Sequence, residues 1–423
     1  MKIKIKKISF DKLKKIKGKK YHRPIRASFL LTKLINLISK KELKDTNFTY
    51  KYEGMENLNK KEPCLILMNH SAFIDLKIFF KVWKFTPFNI VCTDDGFINK
   101  DFLMRHLGCI PTVKFQNDPQ LVSDMYYAIN KLHDSILMFP EATYSFDGTN
   151  GTLPDNIGKL IKFLKVPLII IKTEGAYLHD PLYNNLKQRK INVRATIKYK
   201  LSKEEIKKLK SNEIENIVKK EFTFNNWDYQ FKNNILISED FRAEGLNRIL
   251  YKCPHCNNEG TTIGKGIYLT CSSCNKKYEL LENGHLKCLN GDTIFDTIPK
   301  WYEYEKECVK KEILEKTYKL DLDVDIYCLK NYKAIYHIGK GHLTHTIDGF
   351  TLKGNDNDLY VKQGPLENYS LYSDYYWYEI DDIICICDKE YHYYCVPKNK
   401  KDVVAKARLA AEEIYKLKRN NLI

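Results

Sequence analysis

The chain has 423 residues, 43% hydrophobic and 13% aromatic, and carries 70 basic against 53 acidic residues for a net charge of +17. That length is too great for one ordinary core and predicts two or three domains, while the aromatic content excludes a disordered chain. The charge surplus favours an anionic partner (nucleic acid, an anionic membrane or a phosphorylated substrate) or reflects a Lys-rich composition alone.

Residues 1–20 carry ten Lys and one acid, Asp11, with no continuous apolar stretch after them, so they read as a basic arm and not as a signal peptide. Residues 25–39, IRASFLLTKLINLIS, follow. On a helical wheel Leu30, Leu31, Leu34, Ile35, Leu37 and Ile38 fall within an arc of roughly 160°. Such a helix either packs on its own domain or lies in a membrane interface with the Lys-rich arm on anionic headgroups. No apolar run reaches the roughly 18 residues needed to cross a bilayer.

Short apolar runs at 63–69, 88–93, 135–139 and 166–171 read as strands covered on both faces. Helical patterns lie between them, as at 120–133, and the alternation predicts an α/β domain with a mostly parallel or mixed sheet flanked by helices. Residues 191–200 read as an alternating strand, and Ser202 with Glu205 forms a capping box for a helix over 202–220.

Residues 250–290 hold Cys253-Pro-His-Cys256 and, fourteen residues on, Cys271-Ser-Ser-Cys274. Two C-x2-C knuckles at this separation predict a zinc ribbon with four thiolate ligands. A closed shell of four leaves no open position, so the zinc is expected to be structural. The other nine Cys are scattered, some in apolar runs such as those of Cys64 and Cys385, which predicts a cytoplasmic chain with reduced thiols. Residues 300–423 read as short alternating strands with turn signals at Gly339–Gly341, Asp348-Gly349 and Gly354–Asp356. A helix closes the region at 400–417, where Val403, Ala407, Ala410, Ile414 and Leu417 share a face. A pleckstrin-homology-like domain has that order of elements. The expected organisation is a basic arm and amphipathic membrane-association helix (1–45), a catalytic domain (46–235), a zinc ribbon (236–295) and a mainly β C-terminal domain with a final helix (296–423).

Asn69-His70-Ser71-Ala72-Phe73-Ile74-Asp75 stands at the end of the first apolar strand. His70 alone of the eleven His has an Asp five residues on, a pairing expected about once by chance. Its place strengthens it, because the carboxyl edge of the sheet is where α/β sites sit. There an Asp can accept from one ring nitrogen and leave the other basic, which suits deprotonation of an alcohol attacking an activated acyl group. A second polar cluster, Phe139-Pro140-Glu141-Ala142-Thr143-Tyr144-Ser145, also follows an apolar strand.

Together these segments resemble the lysophosphatidic acid and related glycerolipid acyltransferases. The N-H-x4-D motif of that family is matched by Asn69 to Asp75, and F-P-E-G-T-R-S by Phe139, Pro140, Glu141, Thr143 and Ser145. Its glycine followed six residues later by a basic residue is matched by Gly108 and Lys114, and its V-P-hydrophobic strand by Val166 to Ile171. The resemblance covers roughly residues 50–220. It implies that His70 is the general base and that Asp75 orients it. It also implies that Glu141 and Lys114, with Asn69, Thr143 and Ser145, build the acceptor site.

The donor implied is acyl-CoA or acyl-carrier protein, and the acceptor a lysophospholipid, with 1-acyl-sn-glycerol-3-phosphate foremost. The reduced thiols and the basic arm with its amphipathic helix predict a place at the cytoplasmic face of an anionic membrane. Three positions depart from the family: Tyr144 stands where it has Arg, Lys114 replaces a second Arg, and Ala142 replaces the motif's glycine. A bidentate phosphate clamp needs Arg, so another lysophospholipid acceptor is an open alternative. Two other readings are a zinc-ribbon nucleic-acid-binding protein and a lipid-binding scaffold without catalysis. The first leaves the ordered strand-end motifs unexplained, and the ribbon lacks a basic-aromatic stripe.

Overall fold

A computed structural model describes residues 3–59, 61–355, 358–388 and 390–423. The chain forms two compact units. One comprises Tyr21–Leu182 and Leu186–Ile237; the other comprises Met1–Lys20, Tyr183–Asn185 and Ser238–Ile423.

The first unit is built on a seven-stranded sheet. Its strands are β1 (Thr49–Glu53), β2 (Leu65–Met68), β3 (Phe88–Thr93), β4 (Cys109–Thr112), β5 (Ser135–Met138), β6 (Leu168–Glu174) and β7 (Arg194–Leu201). They lie in the order β1-β7-β6-β2-β5-β3-β4. Among the described residues only β6 and β7 pair antiparallel, so the sheet is mixed and mainly parallel. All four residues of β2, Leu-Ile-Leu-Met, are buried, as expected of a strand with both faces covered. Leu65, Leu67, Ile136, Leu168 and Ile170 form one core with Ile157 and Ile161 of the helix Ile157–Leu164 and Ile214 and Val218 of the helix Ser211–Glu221. The capping box at Ser202 forms. The helix expected over 202–220 breaks into Lys203–Lys208 and Ser211–Glu221.

Helix α1 (Phe29–Asp45) packs on helix α2 (Ile74–Val82), which follows β2. Leu31 and Ile35 are half-buried and Ser39 and Leu43 buried, a stripe at helical spacing. A neighbouring stripe remains outside: Leu30 is 76% and Ile38 69% exposed, and Phe29, Leu34 and Leu37 are exposed too. The helix therefore both packs on its own unit and presents an unpacked apolar face.

In the second unit the region read in the sequence as a zinc ribbon forms a four-stranded antiparallel sheet, Thr262–Lys265, Tyr268–Cys271, Lys277–Leu280 and Leu286–Cys288. The C-terminal region contributes seven strands of an eight-stranded sheet and ends in the helix Val403–Arg419. Ile5–Lys7, inside the basic arm, pairs parallel with Ile335–His337 of that sheet.

Two local expectations fail here. Gly339–Gly341 is not a turn but lies within the strand Ile335–Thr346, where Gly339 has φ +122° opposite a bulge between Ile326 and Tyr327. Glycine inside a strand often marks such a bulge. Ile298–Leu314, which begins the region read as strands, is a helix whose buried stripe is Ile298, Trp301, Glu305, Val309 and Ile313. Buried Glu305 interrupts the apolar period and hides it. The signal at Asp348-Gly349 does mark a hairpin, with Thr346 paired to Gly349. Gly354 ends a strand, and Asp356 of the third signal lies outside the described residues.

Candidate active site

The candidate site lies at the carboxyl edge of β6, β2 and β5, three neighbours in the middle of the sheet. The chain leaves β2 through Asn69 and His70 and enters α2, with Asp75 in its first turn. Asp75 is wholly buried. Its Oδ2 accepts from the amides of Ser71 (2.6 Å) and Ala72 (2.9 Å) and lies 3.4 Å from His70 Nδ1. Its Oδ1 accepts from the Thr173 hydroxyl at 3.0 Å. Four donors around a carboxylate at a helix start fix its position.

Asn69 locks the strand end from the other side. Its Oδ1 accepts from the Thr173 amide (2.7 Å), and its Nδ2 donates to the Thr173 carbonyl and to the Ser71 hydroxyl, both at 3.0 Å. Thr173 thus holds both Asn69 and Asp75. It stands two residues beyond the V-P-hydrophobic motif, and a lone Thr at a strand end offers no spacing signal.

The turn after β5 clasps the His70 backbone. Glu141 Oε2 accepts from the His70 amide (2.8 Å), its Oε1 accepts from the Gly151 amide (2.5 Å), and the Ser145 amide donates to the His70 carbonyl (3.0 Å). The Ser145 hydroxyl in turn donates to the Thr149 carbonyl and accepts from the Gly148 amide. The Glu141 carboxylate, nearly fully buried, thus acts on the loop that carries His70. Thr143 is buried in the same turn. Ala142 has φ +55°, the left-handed region in which an L side chain costs about 1 kcal/mol, so the family's glycine at this position has a backbone reason. Gly108 meets the same demand, with φ +78° between the helix Asp101–His106 and β4.

The His70 side chain is 19% exposed. Two aromatic rings pack on its imidazole: Phe139 at 4.1 Å between centroids, stacked at 26°, and Tyr144 at 4.3 Å, tilted at 48°. Burial lowers the His70 pKa below its ordinary value against the pull of Asp75, and the Lys114 charge adds to the lowering. Lys114, just past β4, is half-buried and close enough to act electrostatically on His70. Arg105, on the preceding helix Asp101–His106, is held by Asp101 at 2.8 Å. Burial also raises the pKa of Asp180 well above its usual range, and the charges of Asp75 and Glu42 push the same way. A neutral imidazole with one nitrogen toward a fixed carboxylate can take a proton at the other.

The four predicted metal ligands also come together. One Sγ from each of Cys253, Cys256, Cys271 and Cys274 lies within 4.8 Å of the others. Cys253 and Cys274 are 3.6 Å apart and Cys256 and Cys271 3.7 Å. Four thiolates at 2.3 Å from a tetrahedral zinc would lie about 3.8 Å from one another, so the set fits that ion. Asn257 and Asn275, each directly after a knuckle, have φ +60° and +61° and return their amides to the carbonyls of Cys253 and Cys271. His255 turns to the Tyr278 hydroxyl at 2.8 Å and stands outside the ligand set.

Residues 49–171 match the family model Acyltransferase. The match contains β1 to β5 with His70, Asp75 and Glu141 and ends within β6, so this stretch is similar to acyltransferase domains. Among solved structures, the chain is similar to the 1-acyl-sn-glycerophosphate (LPA) acyltransferase PlsC from Thermotoga maritima. Identity is 20% and the TM-score 0.32, with 45% of this chain and 78% of that chain covered. No curated protein matches the chain.

Proposed function

We propose that the first unit transfers a fatty acyl group from acyl-CoA or acyl-carrier protein to a hydroxyl of a lysoglycerolipid, with 1-acyl-sn-glycerol-3-phosphate as the leading acceptor. The observation that carries this reading is the His70–Asp75 pair, fixed at the sheet edge with the imidazole neutral. His70 Nδ1–H donates to Asp75, and Nε2 takes the proton of the acceptor hydroxyl as its oxygen attacks the thioester carbonyl. The tetrahedral intermediate then expels the thiolate, which regains the proton from His70 and leaves as the thiol. No covalent acyl-enzyme is required. Lys114 supplies positive charge for the acceptor's phosphate, while Asn69, Glu141, Thr143 and Ser145 hold the loops that present the base.

A second reading of the acceptor, a lysophospholipid with a larger headgroup, is favoured by Tyr144. Its ring lies on His70, at the position where the resemblance has an Arg. The unpacked apolar face of α1 lies, on this reading, on an anionic membrane at the cytoplasmic surface. Among the described residues no helix is long and apolar enough to cross a membrane. The four Cys hold a structural zinc, which makes no chemical step. Nucleic acid is not among the partners proposed.

The test is acyl transfer by the purified chain to a panel of lysolipids, with acyl-CoA and acyl-carrier-protein donors and products read by mass spectrometry. His70→Ala should lower turnover at least about 100-fold with the fold intact by circular dichroism. A folded His70→Ala protein with undiminished activity would remove His70 as the base.

A further inference from the structure

The sequence singles out Tyr144 as a departure, and no step of the proposed reaction uses it. Its ring nevertheless packs on the base, 4.3 Å from the imidazole centroid, with Phe139 at 4.1 Å. Both rings belong to the turn that is hydrogen-bonded to the His70 backbone through Glu141 and Ser145. Ring and base are therefore carried on one tied pair of loops and cannot drift apart independently. At 3.4 Å, the Nδ1 contact to Asp75 leaves room for the imidazole to swing unless something restrains its side-chain torsion.

Resting on the acyl-transfer reading, we propose that Tyr144 is a positioning residue: with Phe139 its ring clamps the imidazole of His70 in the rotamer that keeps Nδ1 on Asp75. It also covers the ring from water. The same clamp accounts for the direction of the His70 shift, since burial is its largest cause. An Arg at this position would instead set a fixed positive charge against a base that must briefly become a cation. The aromatic side chain thus changes what residue 144 does, from a group for the acceptor to a group for the base. The acceptor's charge is left to Lys114.

The experiment uses the full chain with isotope-labelled histidine, the His70 signals being assigned by their loss in His70→Ala. These signals are titrated in wild type, Tyr144→Phe, Tyr144→Leu and Tyr144→Ala, and kcat and KM for acyl transfer are measured against pH in parallel. In wild type His70 should titrate below the ordinary value of about 6.5. Tyr144→Ala should raise that midpoint and move the acid limb of kcat/KM to higher pH with it. It should also lower kcat roughly 10- to 100-fold, with KM changed far less. Tyr144→Phe should restore both, because the ring and not the hydroxyl makes the clamp.

The proposal is overturned if Tyr144→Ala leaves the His70 titration in place, or if KM rises while kcat holds, which would make Tyr144 an acceptor-binding group. Should the Ala variant fail to fold, Tyr144→Leu, which fills similar space without a flat ring, stands in for it with the same expected and overturning results. If wild type transfers no acyl group yet the titration moves in the Ala or Leu variant and returns in Tyr144→Phe, the clamp stands and the acyltransferase reading falls.

Discussion

The hydroxyl of Thr173 lies 3.0 Å from Asp75 Oδ1 and 3.2 Å from Asn69 Oδ1, wholly buried between the two residues that fix His70. Replacing it by Val keeps the shape and removes the donor. Asp75 Oδ1 would then be buried without that partner, at a cost of about 1–3 kcal/mol in stability. A carboxylate with fewer donors draws more strongly on the imidazole, so Thr173→Val should raise the His70 pKa. The sign follows directly: the neutral, active base would be lost at a higher pH than in wild type. A pH–rate profile should show the acid limb of kcat/KM moved upward, and urea unfolding should show the lower stability. His70, Asp75 and Glu141 are legible in the sequence because each sits in a motif with fixed spacing. Thr173 is not, because its role depends on β6 lying beside β2, which no local pattern announces.

Between elements, α1 and α2 are joined by Lys77 and Glu42, 2.5 Å apart and largely buried. Burial would raise the Glu42 pKa, but His179, whose Nε2 lies 3.8 Å from Oε1, and the Lys77 ammonium outweigh it and hold the carboxyl at about 2. A depressed carboxylate contributes stability above its unfolded value, and that contribution is lost as pH falls toward the folded value. Lys77→Met leaves Glu42 without its main cation and should cost about 2 kcal/mol near pH 7, less than a fully buried pair because both groups keep some solvent. The penalty should shrink toward pH 4, where the unpaired Glu42 can protonate; denaturant melts at the two pH values measure this. At this scale the sequence shows the apolar strands β2, β3, β5 and β6 and hides β1 and β4. β1, Thr-Tyr-Lys-Tyr-Glu, is an edge strand exposed along nearly its whole length, so burial left no signature in it.

For the whole molecule, the sequence shows an α/β region, a ribbon and a β region with a last helix, and the structure has all three. It does not show that Met1–Lys20 belongs with Ser238–Ile423, because a parallel pairing between Ile5–Lys7 and a strand near the other end of the chain leaves no spacing to read. The ribbon gives the prediction at this scale. The purified chain should carry one zinc by elemental analysis, and a chelator should remove it. Hydrogen exchange should then accelerate across 253–288 and stay unchanged across 65–75, because a structural zinc contributes folding free energy locally. Slow exchange in the chelated ribbon would show that its core is sufficient without metal.

The tie between Asn69 and Thr173 also bears on how the protein is made. The two residues are 104 apart in the chain. The strands that carry them pair in parallel, a connection that waits for everything between them. A nascent chain that has emerged through residue 75 already bears both members of the proposed catalytic pair, but the anchor of Asp75 is still untranslated. On the proposed reading, acyl transfer would begin only with completion of the sheet, and a truncated chain ending before β6 would carry His70 and Asp75 without the means to aim them.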